Sequence, residues 1–96
     1  MNVKAYLEIT MHIPPENRPA AAKVYQDYRS LFLDTIPGAL TKELLLRPED
    51  VQVLLGFDSQ DHAQAYLTST LFQRDVAAGL QPLWQGEPEV RIYTLA

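Results

Sequence analysis

The sequence predicts one α+β domain of order β-α-β-β-α-β. Three observations predict it. Apolar side chains alternate with polar ones in separate short stretches, the mark of strands. Between them, apolar residues recur at i, i+3, i+4 and i+7, the mark of amphipathic helices. Proline, glycine and serine stand where one pattern gives way to the next. The length of 96 residues fits a single domain over 1–96.

The first strand is expected over Val3 to Ile13. Val3, Ala5, Leu7, Ile9 and Met11 fall on one face; Lys4, Tyr6, Glu8, Thr10 and His12 fall on the other. Pro14-Pro15 ends it, because proline cannot donate to a ladder. Asn17 can cap a helix, with Pro19 tolerated in its first turn. Ala21, Val24, Tyr25, Tyr28, Leu31 and Phe32 form the apolar stripe of that helix, about four to five turns long. Ile36-Pro37-Gly38 stops it.

Leu40 to Arg47 reads as the second strand, with Leu40, Lys42, Leu44 and Leu46 opposite Thr41, Glu43 and Leu45. Arg47-Pro48-Glu49-Asp50 is a short turn, its acid pair expected in solvent. Val51 to Phe57 is the third strand, making an antiparallel hairpin with the second. Ser59 can cap a second helix with Ala63, Tyr66, Leu67 and Thr70 on one face. The hydroxyls of Thr68-Ser69-Thr70 compete for the backbone, so a break is expected there. A second helical piece comes next, with Leu71, Phe72, Val76, Leu80 and Leu83, ending before Gly86. Glu89 to Leu95 is the last strand.

Each strand-helix-strand half supplies a right-handed crossover. The expected architecture is a ferredoxin-like, four-stranded antiparallel sheet with both helices on one face. Pattern alone does not say which strand face meets the helices. Either choice leaves large side chains on the other, because Tyr6 or Leu7 must stand there. Such a sheet calls for a partner, and a second copy related by a twofold axis is the simplest.

Composition sets limits. The chain is 47% hydrophobic and 21% charged, with net charge −4 and pI near 4.9. Its cations are scattered, so nucleic acid is not an expected partner. No apolar run nears the length of about 18 residues that a membrane span needs. Glu8 interrupts the only candidate for a leader's apolar region. Cysteine is absent, which fits a reducing compartment, and the expected location is cytoplasmic. Two histidines cannot complete a structural zinc site, and no metal site is expected.

The run Gly56-Phe57-Asp58-Ser59-Gln60-Asp61-His62-Ala63-Gln64-Ala65-Tyr66-Leu67-Thr68-Ser69-Thr70-Leu71-Phe72 resembles the antibiotic biosynthesis monooxygenase superfamily at its passage from third strand to second helix. Leu80 to Val90 is similar to that family's passage into the last strand, and Ile36 to Leu40 to its start of strand two. The resemblance implies a homodimer whose sheets close into an α/β barrel. It also implies a pocket in each subunit between sheet and helices. Some members oxidise polycyclic phenols or quinols with molecular oxygen and no cofactor; others degrade haem. Phe57 stands where many members carry tryptophan, and Tyr66 where many carry histidine. The first strand past Asn2 has no asparagine, so haem degradation is not expected.

The resemblance therefore implies a cofactor-independent monooxygenase acting on a small aromatic or quinol-type molecule. The alternative is a dimeric barrel that binds a small hydrophobic ligand without turnover. Tyr66 is the first catalytic candidate, to orient a substrate hydroxyl; it would otherwise pack on the sheet. His12, at the end of strand one, is a candidate base or a solvated residue. Phe57 and Phe72 are candidate pocket walls; Phe57 would otherwise be plain core. Tyr25 and Tyr28, on the helix-one stripe, would line the cavity or fill the core. Arg91 and Tyr93 share a face of strand four; Arg91 would hold an anion or pair with Glu8 or Glu43 at a dimer interface. His62 is expected at the surface, since a helix start disfavours imidazolium.

Overall fold

The computed structural model describes residues 2–96, apart from the Ala77 side chain. It contains β1 (Ala5–Met11), α1 (Arg18–Thr35), β2 (Ala39–Leu46), β3 (Val51–Phe57), α2 (Gln60–Tyr66), a short α3 (Thr70–Phe72) and β4 (Glu89–Thr94). A π-helical run, Gln73–Leu80, and a 3-10 turn, Gln81–Leu83, carry α3 onward. The sheet order is β2-β3-β1-β4, and every pairing is antiparallel. β3 thus sits between β1 and β2, the split crossover expected of a ferredoxin-like chain.

The structure decides which face is inside. Ala5, Leu7, Ile9 and Met11 of β1 are buried, as are Val51, Val53, Leu55 and Phe57 of β3. Register sets them side by side: Leu7 opposes Leu55 and Ile9 opposes Val53. Phe32 and Ala21 of α1, and Ala63 and Tyr66 of α2, close over this face. The opposite face carries Tyr6, Glu8 and Thr10 beside Arg91, Tyr93, Glu43 and Leu54.

Four local expectations are corrected. β1 begins at Ala5, and Val3 lies instead over Gly56, a methyl carbon 3.0 Å from where a Cβ would be. Asn17 does not cap α1. It ends a 3-10 turn in helical conformation (φ −96°), and its side-chain amide donates to the Leu83 carbonyl at 3.2 Å. A capping residue usually has an extended backbone, and the helical backbone of Asn17 together with its bond to Leu83 takes the side chain away from the α1 amides. Asp50 is buried rather than solvated, because Arg47 donates to both its oxygens at 2.7 Å. That pairing holds the Asp50 carboxyl below its ordinary range. Finally, the second helical piece is mostly a π turn, which re-aims the side chains after Phe72.

The break in helix two comes from its hydroxyls. Ser69 Oγ donates to the Tyr66 carbonyl at 2.7 Å and accepts the Phe72 amide at 3.1 Å. One serine thus ends α2 and caps α3. Among the described residues no helix is long and apolar enough to cross a membrane.

Candidate functional site

The site is built where β3 runs into α2. Phe57 ends β3, and the Asp58 amide donates to the Gly38 carbonyl at 3.0 Å. That bond ties the β3–α2 junction to the turn between α1 and β2. Ser59 caps α2 by accepting the His62 amide at 3.1 Å. The first turn of α2 then carries His62 back over Asp58. Its Nδ1 lies 2.6 Å from Asp58 Oδ1. A carboxylate only accepts, so Nδ1 turns an N–H toward Asp58, and in the neutral imidazole it is Nε2 that keeps the lone pair. The side chains are 42% and 32% exposed, so this pair adds little to stability.

The dyad opens on a hollow of about 350 Å³ lined by Ile36, Pro37, His62, Ala65, Tyr66 and Ser69. Most of that lining is apolar, which suits a small ring-shaped ligand. Tyr66 is only 2% exposed and belongs to an aromatic cluster. Its ring centroid lies 5.1 Å from Phe32, 5.9 Å from Phe57 and 5.4 Å from Phe72. The contacts with Phe32 and Phe72 are edge-on and that with Phe57 is tilted, and together they fix the ring's orientation. Burial, with help from the nearby charge of Asp75, pushes the Tyr66 hydroxyl well above the ordinary tyrosine range. Tyr66 is therefore a neutral phenol, a donor and not a base.

Behind Tyr66 lies a buried ion pair. Lys42 Nζ donates to Asp75 Oδ2 at 2.8 Å. The ammonium also stands 5.6 Å from the Tyr25 ring centroid and 5.7 Å from that of Phe32. Tyr25 Oη donates to the Lys42 carbonyl at 2.7 Å. Asp75 Oδ1 is buried and has no hydrogen-bond partner among the described residues. Burial pushes the Asp75 carboxyl up, and Lys42 pulls it back in part.

The structure brings together Tyr66, Phe57, Phe72 and Tyr25 of the predicted residues. Tyr28 is half-buried on α1. The space between sheet and helices at this end is filled by Phe32, Phe57 and Tyr66; the hollow lies on the outer flank of Tyr66. His12 stands past the other end of β1, roughly 20 Å away along the strand by its rise per residue. There it borders a separate hollow with Arg18, Glu49 and Gln85. Arg91 and Tyr93 lie on the open sheet face, because β4 pairs them with Glu8 and Tyr6. Arg91 bonds Glu89 and lies 3.7 Å from Glu8 within the same chain.

Two features escaped the sequence. His62 reads as a surface residue until Asp58, one helical turn earlier, is weighed with the Ser59 cap. That spacing was the available signal. Lys42 and Asp75 are 33 positions apart, and neither stands out from its strand or helix pattern.

No protein-family model matches the sequence, and no curated protein does. Solved structures do match. A protein from Caulobacter crescentus, provisionally named an antibiotic biosynthesis monooxygenase, superposes with TM-score 0.82 at 18% identity, covering 98% of this chain and 91% of that one. A protein from Bordetella bronchiseptica with the same provisional name gives TM-score 0.81 at 15% identity, covering 97% and 98%. A conserved protein from Methanosarcina mazei Go1 gives 0.81 at 15%, covering 96% and 92%. The chain therefore shares the fold of these proteins. At such identities the likeness is one of fold.

Proposed function

We propose that this protein is a cytoplasmic, homodimeric, cofactor-independent monooxygenase of small phenols or quinols. The observation that carries the reading is the His62–Asp58 dyad at the mouth of an apolar hollow walled by Tyr66. The fold it shares with proteins named as monooxygenases is consistent with it.

The chemistry needs little equipment. A phenol ring enters the hollow against Tyr66, with its hydroxyl toward His62. Nε2 takes the hydroxyl proton, and Asp58 stabilises the imidazolium that forms. The apolar walls keep water from the electron-rich phenolate. One electron passes from the phenolate to oxygen, and the resulting radical pair couples as a carbon-bound peroxide. The ring C–H proton passes to the distal peroxide oxygen as the O–O bond breaks, leaving C=O and hydroxide, and the imidazolium proton turns that hydroxide into water. The sum is one phenol O–H, one ring C–H and one oxygen molecule giving the two carbonyls of a quinone and one water.

Oxygen uptake with a panel of naphthols, anthrols and quinols, in chelator and without flavin, tests the proposal. The expected result is uptake by wild type and a loss of roughly 10²–10⁴-fold in His62→Ala. Thermal stabilisation by these compounds with no uptake would point to ligand capture without turnover.

A further inference from the structure

We infer that Gly38 is a positioning residue for the dyad: the room left by its missing side chain is where Asp58 and His62 meet. The inference rests on the proposed role of His62. Gly38 ends the Ile36-Pro37-Gly38 turn with φ +78°, a left-handed conformation that favours glycine. Conformation alone would not make it functional. Gly86 has φ +73°, and among the described residues nothing lies within 4 Å of its absent Cβ. A Cβ on Gly38 would instead collide with Asp58 Oδ1 and His62 Nδ1, the two atoms of the hydrogen bond, and lie 2.6 Å from His62 Cγ.

The surroundings leave the side chains as the part that must yield. The Asp58 amide is bonded to the Gly38 carbonyl, and the His62 amide to the Ser59 hydroxyl. Both backbones are thereby tied at this junction. A methyl group at position 38 would turn the imidazole or the carboxylate aside and break their contact. Without Asp58 to accept from Nδ1, nothing holds the tautomer that leaves Nε2 as the base.

The test compares Gly38→Ala with Gly86→Ala, which carries the same backbone strain without the collision. Nitrogen NMR of the His62 ring reads the tautomer directly. Wild type and Gly86→Ala should hold the proton on Nδ1; Gly38→Ala should move a large share of it to Nε2. Quinol turnover should fall roughly 10²-fold in kcat with KM little changed. A tautomer shift in a protein that shows no turnover would support the role of Gly38 and overturn the oxygenase reading alone. An unchanged tautomer in Gly38→Ala would overturn the inference. If Gly38→Ala does not fold, the triple variant Gly38→Ala/Asp58→Ala/His62→Ala decides. Recovered folding supports the collision, and continued failure overturns it.

Discussion

At Lys42 and Asp75 the chain buries two opposite charges, with side-chain exposures of 1% and 6%. Breaking such a pair leaves an uncompensated charge, at a cost of about 3–5 kcal/mol. Lys42→Met should show this in urea denaturation. It should also change the pH dependence. Burial lifts the Asp75 carboxyl above its unfolded value, and Lys42 works against that lift. With Lys42 gone the lift grows. The folded state then binds the proton more readily than the unfolded one, so stability falls as pH rises from about 4 through the folded pKa. The Tm of Lys42→Met should rise on acidification from pH 7 to pH 5, more than in wild type. A Tm flat across that window would contradict the account. Lys42→Met/Asp75→Leu should regain most of the loss, because both charges leave together. Tyr66 and Phe57 were placed at one site by the family resemblance, while periodicity left open which strand face is inside. The ion pair was not, because Lys42 looks like any strand lysine until the sheet face is known.

Among elements, the second helix depends most on single hydroxyls. Ser69→Ala removes one bond to the Tyr66 carbonyl and one from the Phe72 amide. It should cost about 1 kcal/mol, the usual value of an N-cap. Thr68→Ala, at an exposed site bonded to the Ala65 carbonyl, should cost well under half of that in the same denaturation series. Equal losses would count against Ser69 as the cap. Across the sheet, Phe32→Ala should cost about 3–5 kcal/mol, since it removes the ring shared by Phe57 and Tyr66. The break at Thr68-Ser69-Thr70 was readable because hydroxyl competition is local. The π turn after Phe72 was not. Its wider winding carries Asp75 to Lys42, a contact made across the fold.

For the molecule as a whole, the open sheet face sets the next question. Tyr6, Leu54, Leu45 and Tyr93 stand there among Glu8, Glu43 and Arg91. Tyr93 is 49% and Leu45 43% exposed in one copy. The proposed homodimer covers these residues. Light scattering should give twice the chain mass at micromolar concentration, and Leu45→Glu/Tyr93→Glu should halve it with the circular dichroism spectrum kept. A wild-type monomer would contradict the dimer. Strand alternation made the element order readable from sequence. It could not choose the inner face, because β1 carries large side chains on both sides.

The central claim is that oxygen enters the product at the His62 hollow. Turnover of a naphthol or quinol under labelled oxygen, in chelator, tests it most directly by mass spectrometry. The account predicts one labelled atom in each product molecule from wild type, and almost none from His62→Ala at equal protein. Unlabelled product, or label formed at the same rate by His62→Ala, would contradict it.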